Sequence, residues 1–216
     1  MASLAIHPDN EILQFKGGTA LRLCHFAEYR YSADIDLNRV SDTSDDQVGQ
    51  LMREVLAVTR DRVGLPHLEL LEGPPLRIAF IGPKRTSKPS LIKLDITDDE
   101  LSTGDDTRSI LLERYEDQPD APPLRVYSLA ETAAEKMRSV IQRLQCRDLF
   151  DMWYLLEHAG VDAAEIKPEF EAKAHHRGLD PGRFPDRFET RIEEYRRRWV
   201  TELSPYLSDV PDVDRV

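Results

Sequence analysis

Apolar and polar positions change rhythm twice along the chain of 216 residues. An apolar stretch at 12–15 predicts a first strand, and 19–27 reads as a helix with Leu21 and Cys24 inward. A second helix is expected over 47–63, where Val48, Leu51, Val55 and Val58 or Leu56 recur at helical spacing. The polar loop 41–46 supplies its capping residues, and Gly64-Leu65-Pro66 stops it. Between 67 and 97 the period becomes that of strands, predicted at 67–71, 75–81 and 90–96 with glycine and proline between them.

Residues 98–106 form a polar, acidic loop, and 117–123 carry three prolines and read as a hinge or linker. Everything after it is helical in pattern. Ser128 can cap a helix with the stripe Leu129, Ala133, Met137, Val140 and Leu144. Further helices start near Arg147 and Asp162, and the last spans 185–203 after a break at 177–182, leaving 208–216 as a frayed tail. The organisation expected is α+β, with an α/β domain over 1–124 and a helical domain over 125–216.

Composition narrows the class. Apolar content of 40% with 32% charged residues describes a globular chain long enough for a sizeable core. No run reaches the ~18 apolar residues of a membrane helix, and the first ten residues lack the basic and apolar regions of a signal peptide, so a cytoplasmic protein without membrane association is expected. Cys24 and Cys146 fall in predicted helices and read as buried reduced thiols. A net charge of −11 excludes a broad positive surface for indiscriminate nucleic-acid binding. Local basic strips remain: Lys136, Arg138, Arg143 and Arg147 with no acid among them, and Arg196 to Arg198.

The candidate chemistry lies between 15 and 37. The strand runs into Lys16-Gly17-Gly18-Thr19, where backbone N–H groups at a helix start can meet a phosphate. Then comes Arg30-Tyr31-Ser32-Ala33-Asp34-Ile35-Asp36-Leu37, in which period-2 alternation sets Asp34 and Asp36 on one face, about 6 to 7 Å apart. Two such carboxylates can share Mg²⁺ with substrate phosphates. Each piece alone has a plainer reading, a glycine turn or a solvated acidic pair. On a third strand Lys93 and Asp95 share a face, an arrangement that an edge-strand pair facing water would also show. At 100° per residue, Lys136 and Arg143 flank the apolar stripe of their helix, whereas Arg138 and Glu135 fall well away from its centre. Asp148 lies within the inward arc of the next helix and needs a cationic partner, Lys136, Arg143 or Arg147.

Taken together, Lys16-Gly-Gly-Thr-Ala-Leu21 and Arg30-Tyr-Ser-Ala-Asp-Ile-Asp-Leu37 resemble the nucleotidyltransferase-like toxins of abortive-infection and type IV toxin–antitoxin systems (AbiEii/AbiGii type, MenT-like), in the polymerase-β-like superfamily. Glu131-Thr-Ala-Ala-Glu-Lys136 and Arg147-Asp148-Leu-Phe-Asp151 are similar to the later motifs of that family. The resemblance implies a polymerase-β-like domain with a mixed sheet followed by a helical domain. It implies nucleotidyl transfer with Asp34 and Asp36 on Mg²⁺ (or Mn²⁺), Asp95 as the third carboxylate, and Lys16, Gly17, Gly18, Thr19 and Ser32 around the NTP. Ser32 enters as a turn-capping hydroxyl or as a phosphorylation target. By the same resemblance Lys136 contacts the triphosphate, Asp148 completes the site, and Asp151 orients or bridges. The implied acceptor is the 3′ end of tRNA, the implied partner an antitoxin, and the outcome a block of aminoacylation and translation. The alternatives are the same transfer to a small molecule or protein side chain, and an inactive fold that acts as a binding module.

Overall fold

The computed structural model describes residues 1–40, 42–65, 67–82, 88–98, 100–103 and 107–216. The chain divides into two compact units, residues 1–99 with 106–126, and residues 100–105 with 127–216.

The first unit is built on a five-stranded mixed sheet. In chain order its elements are α1 (Ala2–Ala5), β1 (Leu13–Lys16), α2 (Gly17–Ala20), β2 (Ile35–Arg39), α3 (Asp45–Val63), β3 (Glu69–Leu71), β4 (Leu76–Phe80), β5 (Ser90–Thr97), and the short pair β6 (Arg108–Ser109) and β7 (Leu124–Arg125). The sheet order is β1-β2-β5-β4-β3, with β2 parallel to β5 and the other neighbours antiparallel. Alternation does what the pattern predicts. Phe15, Leu37 and Leu94 bury one face against Val48, Leu51, Met52 and Val55 of α3, each large side chain contributing about 1.5 to 3 kcal/mol. The opposite face carries Lys16, Asp36 and Asp95, which are register partners in turn.

Helix α3 begins two residues before the predicted start because Ser44 and Gln47 form a reciprocal capping box. It ends at Gly64, which adopts φ 62°; Ser41 and Pro66 lie outside the described residues. The helix expected at 19–27 is corrected. It starts at Gly17, and from Leu21 to His25 it widens into a π-helical segment closed by Phe26 N–H to Leu21 O at 2.8 Å. Arg114 satisfies the carbonyls this leaves, reaching those of Arg22, Phe26 (3.1 Å) and Ala27 (2.9 Å).

The second unit is helical: α4 (Leu129–Gln142), α5 (Cys146–Glu157), α6 (Ala163–His176), α7 (Phe184–Glu189) and α8 (Ile192–Leu203). Ser128 caps α4 as expected, and Asp162 caps α6, which starts where the sequence placed a helix. Its core includes Val140, Leu149, Leu155, Ile166, Tyr195 and Trp199. Three expectations change. The last helix is split at Thr190-Arg191, where the Thr190 hydroxyl bonds back to Arg187 O and Arg191 turns to the carbonyl of Val140. Leu144 falls beyond the end of α4. The tail is held rather than frayed, by Trp199 Nε1–H to Pro211 O at 2.7 Å and by Arg196 to Asp214.

Both cysteines are buried, and burial pushes their thiols up to about 12. Among the described residues no helix is long and apolar enough to cross a membrane.

The second unit also buries an ion pair, Lys173 Nζ to Glu131 Oε1 at 2.9 Å, with both side chains fully inaccessible. Thr103 N–H and the Leu101 carbonyl complete it, and the ammonium lies 4.5 Å from the centre of the Tyr127 ring. Removing one partner leaves a buried charge unmatched. Glu131→Gln and Lys173→Met are each expected to lower stability in urea by about 3 to 5 kcal/mol. The double variant should lose much less than their sum; additive losses would contradict the coupling.

Candidate active site

The site grows from the end of β1. Lys16 is the last strand residue and its register partner on β2 is Asp36. Gly17 then takes φ 75°, a conformation that L side chains rarely adopt, and turns the chain into α2. A Cβ on Gly17 would stand within 3.1 Å of Oδ2, Cγ and Cβ of Asp36, so the acid lies directly on the glycine turn. Gly18 lies against the Arg30 guanidinium, whose terminal nitrogen would stand 2.5 Å from a Cβ built there. The Thr19 hydroxyl donates to the carbonyl of Asp34. Residues 17–19 and 30–36, separated by the π-helical segment, are thereby packed into one feature. The amides opening α2 are those that a helix start leaves without intrahelical acceptors.

The third carboxylate joins from β5. Asp95 is in register with Asp36 on the neighbouring parallel strand, so both leave the sheet on the same side. Lys93, two residues earlier on that face, makes an ion pair with Asp95 at 2.6 Å. The hydrogen bond to Asp95 is the first cause of a raised Lys93 pKa, and the negative charges of Asp34 and Asp36 add to it. Asp95 is thus the partner of this ammonium, with the charges of Asp34 and Asp36 acting on it from beyond contact distance as smaller causes. The edge-strand reading of Lys93 and Asp95 is corrected, because β5 lies inside the sheet between β2 and β4. Lys93 is the residue that sequence reasoning left out of the site. Its i, i+2 relation to Asp95 was the available signal. Ser32 is half-buried in the extended segment before β2, next to Tyr31, whose ring lies under the Arg22 guanidinium at 4.2 Å.

Among the described residues no group of three or more His, Cys, Asp and Glu side chains is gathered as a metal site. The donor set of Asp34 and Asp36 still suits Mg²⁺, which takes one or two carboxylates and completes its shell with phosphate oxygens and water.

In the second unit Asp148 does meet the cations its inward position demands. Lys136 Nζ approaches its Oδ1 at 3.1 Å and Arg143 Nε its Oδ2 at 2.7 Å. Lys136 also bridges to Asp151 at 3.0 Å, and both acids are buried. The bridge weighed from the sequence is therefore present, with Lys136 fixed between two carboxylates. Arg138, expected away from the apolar stripe, is instead buried and paired with Glu100 at 3.1 Å. A helical wheel misses this because Glu100 comes from a loop outside the helix. Arg147 lies over the Tyr206 ring at 4.8 Å.

The model of the family described as "Nucleotidyl transferase AbiEii toxin, Type IV TA system" matches residues 1–216. Among solved structures the chain is similar to MenT4, a nucleotidyltransferase toxin from Mycobacterium tuberculosis H37Rv. The TM-score is 0.51 at 16% identity, over 94% of this chain and 90% of that one. It is also similar, with a TM-score of 0.41 and 13% identity over 77% of this chain and 80% of the other, to an antigenic nucleotidyltransferase-like protein from Paracoccidioides brasiliensis. No curated protein matches the sequence. The likeness to MenT4 concerns the fold, a mixed α/β arrangement with a mixed sheet.

Gly17→Ala tests the contact on which the site is built. A Cβ at φ 75° that also displaces the Asp36 side chain is expected to cost about 1 to 3 kcal/mol in urea denaturation. A loss below about 0.5 kcal/mol, the level of an ordinary surface change, would mean that the turn and the acid do not constrain each other.

Proposed function

This chain belongs to the AbiEii family of nucleotidyltransferase toxins of type IV toxin–antitoxin systems, and we propose that it transfers a nucleoside monophosphate from an NTP to the 3′ end of tRNA. The blocked end would no longer accept an amino acid, and translation would stop. The family implies an NTP as donor and an antitoxin as partner. The observation that most supports the reading is the packing of Gly17 on Asp36, with Thr19 on Asp34.

In this reading Asp34 and Asp36 hold Mg²⁺, or Mn²⁺ on the same hard oxygens. The bound ion supplies neutralisation of the triphosphate charge. The amides of Gly17, Gly18 and Thr19 cradle phosphate oxygens, with Lys16 and Ser32 on either side of that cradle in the chain. The acceptor hydroxyl oxygen attacks the α-phosphorus, and the bond from that phosphorus to the bridging oxygen of pyrophosphate breaks. The hydroxyl proton passes to a carboxylate. Asp95, beside Asp36 and already tied to Lys93, is assigned to orient the hydroxyl and take that proton. Lys136 is assigned to the charge on the leaving pyrophosphate, and Asp148 and Asp151 keep its ammonium oriented. Such chemistry is mainly positioning and charge compensation.

Incubation with each labelled NTP, Mg²⁺ and total tRNA is expected to label the tRNA with one nucleotide preferred. Asp36→Ala should lower labelling by roughly two to three orders of magnitude, as for other lost transition-state contacts. Equal labelling by the two proteins would refute the assignment, and label on protein or small molecules alone would move the acceptor to those classes. Lys93→Met checks the charge balance separately. Removing a resident cation from among three carboxylates should tighten Mn²⁺ binding, followed by electron paramagnetic resonance, by roughly three- to tenfold. Unchanged or weaker binding would mean that Lys93 does not share the site.

A further inference from the structure

The charge pairing in the second unit separates engaged cations from available ones. Lys136 and Arg143 are held by Asp148, Arg138 and Arg177 by Glu100, and Lys173 by Glu131. The run Arg196 to Arg198 is matched by Glu193, Glu194, Glu202 and Asp214. Of the two basic strips visible in the sequence, every member but Arg147, which lies over the Tyr206 ring, has a carboxylate partner among the described residues. Arg183, Arg187 and Arg191 are different. Among the described residues no carboxylate lies within ion-pair distance of any of them, and together they line one cavity of about 520 Å³ with Gln142 and Asp180.

Their placement follows from the local fold. Arg183 is the N-cap of α7, Arg187 lies four residues on in its last turn, and Arg191 is the N-cap of α8. A spacing of four sets neighbouring side chains on one side of a helix. Arg191 is anchored through one terminal nitrogen to the carbonyls of Val140 (2.5 Å) and Arg143 (3.3 Å) at the end of α4. Asp180, the one acid in the lining, already accepts from the amide of Gly182 at 2.9 Å.

We propose that Arg183, Arg187 and Arg191 form a phosphate-binding site that takes the backbone of the RNA acceptor. Guanidinium groups match phosphate oxygens in bidentate fashion and keep their charge at any physiological pH. A chain of net charge −11 repels a polyanion at long range, and cations that no internal acid neutralises offset that repulsion locally. The inference rests on the reading that the acceptor is RNA.

The test is fluorescence anisotropy of the full chain with labelled tRNA across a KCl series. Arg183→Gln/Arg187→Gln is the main variant, with Arg191 left in place because it closes α4. Its affinity should fall at least tenfold at 100 mM KCl, and the slope of log K against log[KCl] should shrink by roughly 1 to 2, the release expected for two phosphate contacts. Arg183→Gln alone, on an exposed side chain, should weaken binding severalfold and gives the answer if the double variant does not fold. Arg183→Lys/Arg187→Lys should recover part of the salt slope. Wild-type affinity and slope in a folded double variant would overturn the site while leaving RNA as acceptor. Absence of tRNA binding by the wild type would overturn the RNA reading and this site with it. Loss of antitoxin binding with RNA binding intact would assign the cavity to an acidic protein and equally overturn the proposal.

Discussion

The contact between the Gly17 turn and the Asp36 carboxylate is the constraint on which the first unit's chemistry depends. An acid on an interior strand is costly unless solvent or a partner reaches it. Here the glycine turn has no side chain where the carboxylate lies. The same geometry explains why glycine is required at position 17, where φ is 75° and the Asp36 side chain fills the space of a Cβ. The hydrophobic face of the sheet makes this affordable, since Phe15, Leu37 and Leu94 fix the register that sets Lys16, Asp36 and Asp95 side by side.

Charge pairing is the second organising rule. Acids exceed bases in the chain, 40 against 29, so a basic residue usually finds an acid within reach. Lys136 and Lys93 illustrate the two outcomes. Lys136 is held between the buried Asp148 and Asp151, which fixes its ammonium in one orientation. Lys93 is half-exposed on the sheet face and faces acids that a divalent cation would also seek. The first arrangement positions a charge; the second leaves a charge that can be displaced.

Local chemistry was legible in the sequence, and pairing across the chain was not. The capping loop before α3, the Gly64 stop, the Ser128 cap, the helix start near Asp162 and the alternation around Asp36 depend on neighbours a few residues apart, and each could be read there. Strand order could not, which left a wet-edge pair as one of two readings of Lys93 and Asp95 although β5 is interior. The π-helical segment depends on Arg114, nearly ninety residues away, taking up its carbonyls. Arg138 was misjudged because its acid lies outside α4, and the tail because Trp199 reaches Pro211.

A run of basic residues in a sequence records charge without recording where that charge is spent. In this fold the runs with the most cations are those whose acids lie close by, on the same helix for Arg196 to Arg198 or on the next one for Lys136 and Arg143. The three arginines that share a cavity without a carboxylate partner are spaced four apart through a helix break, where no run is visible. In an acidic protein that must meet a polyanion, the number of cations is therefore a poor guide to the contact surface. The better guide is the set of guanidinium groups for which the fold supplies no carboxylate, because only these gain more from a phosphate than they lose by leaving an internal partner.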